Sequence, residues 1–223
     1  MDESLRESAE RIRSRIEHET HDPAEFRASL LSVPPTARDA WVDEVFGLHE
    51  LPEDGPDLPR GCVPYIPCSV DVLLRMVEQA GVCHSDVFVD IGSGLGRAAA
   101  FVHLLTGAGA MGVEIQSKLV GAARALAARL LLSRVACVQG DAAELTGLIT
   151  RGSVFFLYCP FSGERLAKVL AALESIARTR TIRVCCVDLT LPPCPWLALE
   201  PPRSPDVAIY RSTLVEKAPR ARD

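Results

Sequence analysis

Between residues 87 and 188, short apolar runs alternate with helical segments, and no other feature restricts the fold of this chain so much. The runs at 87–90, 110–114, 135–139, 154–158 and 182–188 are four to seven residues long and rich in β-branched or aromatic side chains. Such runs read as buried strands. Helical patterns at 97–106, 117–132 and 164–177 lie among them, and another at 70–80 precedes the first. A strand that runs parallel to its predecessor needs a crossover, and a helix supplies it. The alternation therefore predicts an α/β fold with a doubly wound, mostly parallel sheet. The tail adds WLALE and DVAIYRSTLVE, separated by PPRSP instead of a helix. They are expected to close the sheet as an antiparallel C-terminal hairpin, making seven strands.

The first 62 residues follow another pattern. Leu5, Ala9, Ile12 and Ile16 recur at helical spacing, so 3–19 reads as an amphipathic helix. Asp22 and Pro23 form a cap and first-turn pair for a second helix to Leu31. After Pro34-Pro35, residues 36–46 read as a third, with Gly47 closing it. HELPEDGPDLPRGCVPYIP follows, with five prolines, two glycines and four acids, and reads as a linker or lid. The expected organisation is a helical N-terminal extension with an acidic, proline-rich linker or lid (1–62), a main domain (63–217) and a short tail (218–223).

Charge divides at the same place. Residues 1–60 carry 7 Lys+Arg against 15 Asp+Glu, and residues 61–223 carry 17 against 14. An acidic N-terminal part would repel a phosphate backbone and attract a cationic substrate, or else form a solvated helical surface. A sequence pI near 5.6 agrees that nucleic acid is not the expected partner. The chain lacks an apolar run of membrane-spanning length, so no membrane partner and a cytoplasmic location are expected. The eight cysteines include no C-x-x-C. Cys83, Cys137, Cys185 and Cys186 lie in or beside apolar runs and are expected as reduced core thiols, without a metal.

The chemistry is carried by DIGSGLG, from Asp90 to Gly96. In a doubly wound sheet, cofactors bind at the carboxyl ends of the strands. Here Asp90, Glu114 and Asp141 stand at or just beyond three such ends. A dinucleotide turn has G-x-G-x-x-G spacing and receives pyrophosphate. This turn is spaced D-x-G-x-G-x-G, and a carboxylate directly before the glycines disfavours a phosphate and suits a cationic ligand. S-adenosylmethionine carries a sulfonium, an ammonium, a ribose and an adenine without phosphate.

With VFVDIGSGLGR, GVEI, VQGDAAEL and FFLYCPF in this order, residues from about 63 to 215 resemble a class I S-adenosylmethionine-dependent methyltransferase. The resemblance implies a Rossmann-like sheet with S-adenosylmethionine as cofactor. Asp90 and the turn of Gly92, Ser93, Gly94 and Gly96 would hold its amino-acid part. Glu114 would hold the ribose, Ile115 would lie against the adenine and Asp141 would face its amino edge, with Ala142 and Tyr158 also among the cofactor-binding residues. Val63 to Ser69 resembles the short extended element before the first helix in Dot1-like protein-lysine methyltransferases, with Tyr65 across the cofactor's methionine end and Ser69 capping the helix.

Tyr158, Cys159, Pro160 and Phe161 stand where amine-methylating relatives carry (N/D)-P-P-(Y/F). The side-chain acceptor of that motif is lost, so an adenine or glutamine acceptor is disfavoured, while the carbonyls of Tyr158 and Cys159 remain available to an amine. Methyl transfer needs no enzyme nucleophile, so Cys159 is not assigned one, and His103 is expected to pack. The expected function is methyl transfer by in-line displacement to a nitrogen of a protein side chain or small metabolite. The alternatives are an RNA methyltransferase and a non-catalytic cofactor-binding module; an NAD-dependent dehydrogenase fits less well. The N-terminal helices and residues 48–68 are the expected substrate cover, with Glu50, Glu53, Asp54 and Asp57 drawing in a basic substrate.

Overall fold

Two strands buried on both faces anchor the architecture. In the computed structural model, which describes residues 2–49, 52, 58, 62–201 and 204–213, β1 (Val87–Ile91) and β4 (Val154–Tyr158) occupy the centre of the sheet. Helices cover both of their faces, which is why they read as continuous apolar runs. β2 (Gly109–Glu114) and β3 (Val135–Gln139) extend the sheet on one side. On the other lie β5 (Arg183–Val187), β6 (Leu197–Leu199) and β7 (Val207–Ser212). The order is β3-β2-β1-β4-β5-β7-β6, with β1 to β5 parallel and β7 antiparallel to both β5 and β6. The expected seven-stranded, mostly parallel sheet with an antiparallel C-terminal hairpin is the one observed. The chain reverses direction of growth between β1 and β4, and there a crevice opens at the carboxyl ends.

The helices are α1 (Glu3–Glu17), α2 (Pro23–Ser32), α3 (Arg38–Phe46), α4 (Val70–Ala80), α5 (Arg97–Thr106), α6 (Ser117–Arg129), α7 (Ala142–Leu145) and α8 (Gly163–Ala177). Asp22 caps α2 by accepting from the Ala24 N–H at 2.9 Å. α6 stops three residues short of the expected end, because Leu131 takes a left-handed conformation and its neighbour Leu132 bonds back to the Ala127 carbonyl. That pairing is the usual helix-closing motif with leucine in the glycine position. α7 is a single turn, too short to show a period in sequence.

α1 to α3 share a core with the sheet. Phe26 meets Phe101 of α5 edge-on with centroids 6.0 Å apart, and Trp41 lies 5.9 Å from Phe26. All three are fully buried, together with Phe88 of β1. A second cluster fills the opposite face under α8, from Val89 and Phe155 to Leu173. The eight cysteines are free thiols. Cys185 and Cys186 are buried as expected, but Cys83 is exposed and Cys137 half-buried. Cys83 sits in the turn before β1, where its N–H is needed by Asp86, so its position follows a hydrogen bond and not the hydrophobicity of its neighbours. No helix among the described residues is long and apolar enough to cross a membrane.

Candidate active site

The carboxyl ends of β1 to β5 surround a cavity of about 290 Å³, roofed by residues 62–66. This roof is an extended strap. Cys62 bridges Phe161 in antiparallel fashion, and the Val63 N–H donates to the Pro160 carbonyl at 3.4 Å. The strap thereby spans from the turn after β4 to the start of α4. The four acids assigned to drawing in a substrate, Glu50, Glu53, Asp54 and Asp57, lie outside the described residues. Helices α1 to α3 contribute nothing to the cavity wall, so of the expected substrate cover only the strap and Leu58 are seen at the cavity.

The glycine turn is fixed from two sides. The Gly92 and Ser93 N–H groups both donate to the Val113 carbonyl, at 2.9 and 3.0 Å. Gly94 donates to one Glu114 oxygen at 2.9 Å, and Gln116 donates to the other at 2.8 Å. Gly92 has φ +82°, and a β-carbon there would stand 2.6 Å from Pro160 Cβ. At Gly94, with φ +52°, it would fall within the Tyr65 ring. Backbone and aromatic ring thus approach as closely as glycine permits.

Tyr65, Gly92, Glu114, Ile115, Asp141, Ala142 and Tyr158 all line the cavity, as do Cys159, Pro160 and Phe161. Asp90, Ser93, Gly94 and Gly96 form the layer behind this wall. Ser93 packs against Gly112 and stands 3.9 Å from the Cys137 sulfur, while Gly96 packs on Ala123 of α6. Asp90 is 4% exposed, and no described residue donates a hydrogen bond to its carboxyl or pairs with it. Burial, and then the charge of Glu114, push it up to about 7. Asp141 caps α7 through the Ala143 N–H at 2.9 Å and pairs with Arg165 of α8. Burial alone would raise this acid, but the Arg165 and Ala143 donors hold it below the usual carboxylate range. His103 sits away from the cavity, its Nδ1 2.7 Å from the Ala108 carbonyl.

Ser69 occupies the cap position of α4 but does not cap it. Asp39 of α3 does, accepting from the Val70 N–H at 2.9 Å, with the Ser69 hydroxyl 3.4 Å from its other oxygen. The long-range acceptor wins because Arg97 fixes it in place. The buried Arg97 guanidinium donates to Asp39 at 2.9 Å, to Asp43 at 2.6 Å and to the Cys68 carbonyl at 2.7 Å. One side chain thereby joins the N-terminal helices, the end of the strap and the first turn of α5. Arg97, Arg165 and the cavity-lining Asp188 are the residues that sequence reasoning missed. Each gains its meaning from a partner or cavity distant in sequence, and only the place of Arg97 directly after the glycine turn gave any signal.

A family model described as Histone methylation protein DOT1 matches residues 65–141. The match runs from Tyr65 to Asp141 and so covers the glycine-turn side of the cavity, leaving out the ends of β4 and β5. No curated protein matches the chain in sequence. Among solved structures, the chain is similar to an RNA methyltransferase from Salinibacter ruber in complex with S-adenosyl-L-homocysteine. Identity is 27%, with 71% of this chain and 99% of that one covered, at a TM-score of 0.52. It is also similar to the putative methyltransferase yhhF from Escherichia coli (20% identity, 75% and 92% covered, TM-score 0.54). A third is precorrin-6y C5,15-methyltransferase from Geobacter metallireducens (14% identity, 69% and 92% covered, TM-score 0.50).

The chain has the class I methyltransferase fold. The resemblance read in the sequence holds in fold and in enzyme class, and the weaker Dot1-like resemblance has the family-model match behind it. The donor set of this methyltransferase suits a cationic cofactor without phosphates. Asp90, Glu114 and Asp141 stand at three successive strand ends, and the arginine in the cavity wall is committed to Asp141. A pyrophosphate would meet carboxylates there, and a buried acid without a donor is stabilised by a cation.

Proposed function

We propose that this S-adenosylmethionine-dependent methyltransferase transfers its methyl group to the nitrogen of an aliphatic amine, on a protein side chain or a small metabolite. The observation that carries the reading is one continuous cavity. It runs from the glycine turn and Glu114 to an apolar mouth formed by the strap, Tyr158 and Phe161. The cofactor is S-adenosylmethionine. Asp90 and the glycine turn are assigned to its amino-acid part, Glu114 to the ribose, Ile115 and Ala142 to the adenine face and Asp141 to the adenine edge. Tyr65, held on Gly94, is assigned to the methionine end.

When bound, the cofactor supplies a methyl carbon already activated by its sulfonium. The protein's part is alignment and exclusion of water. The strap closes the cavity over the reacting end, and the Tyr158 and Cys159 carbonyls accept hydrogen bonds from the amine. Phe161, docked against Cys62, keeps that end dry. A dry pocket favours the neutral amine that carries the attacking lone pair.

Calorimetry with S-adenosylhomocysteine and NAD tests the cofactor assignment: the first is expected to bind, and Asp90→Ala and Glu114→Ala to weaken it. NAD binding in its place would refute the assignment. The acceptor is tested by labelled methyl donor offered to protein, RNA and metabolite fractions. The 27% identity to an RNA methyltransferase favours a second reading. Label confined to RNA would establish it, whereas nuclease-resistant protein label or an alkylated metabolite amine supports the first.

A further inference from the structure

Two residues at the acceptor end of the cavity take the left-handed conformation without being glycine. Cys159 (φ 40°) follows β4 and Asp188 (φ 49°) follows β5. The β4–β5 register pairs Tyr158 with Val187, so these two residues stand side by side at neighbouring strand ends, and both line the cavity. Asp188 differs from the other acids in the wall. Asp141 is matched by Arg165, and both Glu114 oxygens accept backbone N–H groups. Asp188 is exposed and has no ion pair among the described residues. The mouth around it is apolar: Val63 is 44% exposed and Ile66 61%, large side chains held open to solvent on the strap, with Tyr158 facing the same space.

An apolar, partly aromatic sleeve with one unmatched carboxylate complements a ligand that has an aliphatic stem and a cationic head. We propose that Asp188 is the residue that selects the acceptor, by pairing with the ammonium of an aliphatic amine whose stem lies along Val63, Ile66 and Tyr158. This rests on the methyltransferase reading of the cavity and adds to it the group that distinguishes amines from neutral acceptors. The same carboxylate receives the proton that the ammonium must shed. One N–H bond breaks, an O–H bond forms on Asp188, and the exposed acid returns the proton to water. The nitrogen lone pair is then free, and no other reagent is required.

The test uses the full chain loaded with S-adenosylhomocysteine, titrated at pH 7 with n-butylammonium chloride and with 1-butanol, and followed by ligand-observed NMR. Wild type is expected to prefer butylammonium, and Asp188→Asn to weaken it about 10-fold while leaving butanol unchanged. Asp188→Glu is expected to restore part of the loss. Asp188→Gly, which suits the left-handed backbone, is expected to lose the amine without losing stability, so that charge is separated from folding. S-adenosylhomocysteine affinity should stay within about two-fold of wild type in all three variants. An undiminished affinity of Asp188→Asn for butylammonium, or a wild type without preference for it over butanol, overturns the proposal while the cofactor reading stands. Failure of wild type to bind S-adenosylhomocysteine overturns both.

Discussion

Strand β1 has a buried aspartate near each end, and the protein treats the two oppositely. Asp86, just before the strand, is 8% exposed and accepts from the Ser153 hydroxyl at 2.7 Å, the Cys83 N–H at 3.0 Å, the Cys83 thiol at 3.5 Å and Arg183 at 2.6 Å. Burial alone would raise it, yet those donors and the Arg183 charge hold it below the usual carboxylate range. Asp90 is as deeply buried, has no donor among the described residues, and is pushed up to about 7. The amino end of the sheet spends its polar groups on holding β1, β4 and β5 together. The carboxyl end leaves one desolvated acid uncompensated, and a bound cation would supply what the protein withholds. On the proposed assignment, stability and cofactor binding occupy opposite ends of the same strand.

The largest effect expected from this difference is at glycine. Gly94→Ala places a methyl group within the Tyr65 ring, at a left-handed φ. It is expected to reduce S-adenosylhomocysteine affinity about 100-fold or more by displacing Tyr65 and straining the turn. Gly109→Ala, at the amino end of β2, meets no atom closer than 3.7 Å and needs no unusual backbone. Calorimetry should find it close to wild type, and equal losses at both positions would break the contrast.

The acids come next. Asp86→Asn removes one partner of a mostly buried pair, and urea denaturation is expected to show a loss of about 3 kcal/mol. Folded Asp86→Asn should bind S-adenosylhomocysteine normally. Asp90→Asn is expected to do the reverse: stability at pH 8 equal to wild type or higher by about 1–2 kcal/mol, because a costly buried charge is gone, and cofactor affinity lower about tenfold or more.

The pH dependence sharpens the same pair. Asp90 binds its proton more tightly folded than unfolded, so from about pH 4 to about pH 7 the folded state holds a proton that the unfolded chain has released. Its contribution to stability therefore falls as pH rises through that window. Asp86, lowered in the fold, contributes stability above its unfolded value and loses it as pH falls into the acid range. Thermal melts of the cofactor-free protein should lose the first slope in Asp90→Asn and the second in Asp86→Asn. Affinity for S-adenosylhomocysteine, whose ammonium is assigned to Asp90, should rise through about pH 7 in wild type and stay flat in Asp90→Asn.

Strand ends, the glycine turn and the three acids were legible because each is a local pattern: an apolar run, a spacing, an acid next to a run. The strand directions, parallel at first and antiparallel in the closing hairpin, followed from helices between strands and their absence between the last two, whereas the strand order did not. Asp39, Arg97, Arg165 and Asp188 were not legible, because their roles arise from contacts between segments. Asp141 meets Arg165 across 24 residues and Arg97 meets Asp39 across 58. Exposure of Cys83 was missed for a related reason, since a turn bonded to Asp86 outweighs apolar neighbours.

The smallest expected effect tests whether the carboxyl end is as bare of structural pairing as Asp90 suggests. Behind the glycine turn, Asp39 and Asp43 hold Arg97 much as Asp86 holds Arg183 at the other end. Ser69→Ala removes a hydroxyl that caps nothing and is expected to cost less than about 0.5 kcal/mol in urea denaturation, whereas Asp39→Ala removes the true cap of α4 and should cost about 1–2 kcal/mol. The informative measurement is cofactor affinity in Asp39→Ala. Arg97 keeps Asp43 and the Cys68 carbonyl, so the strap should stay seated and affinity should change less than about threefold. A larger loss would mean that the N-terminal helices, through Asp39, set the position of Tyr65 over the glycine turn. The boundary between a stabilising and a binding end of the sheet would then pass through Arg97 instead of along β1.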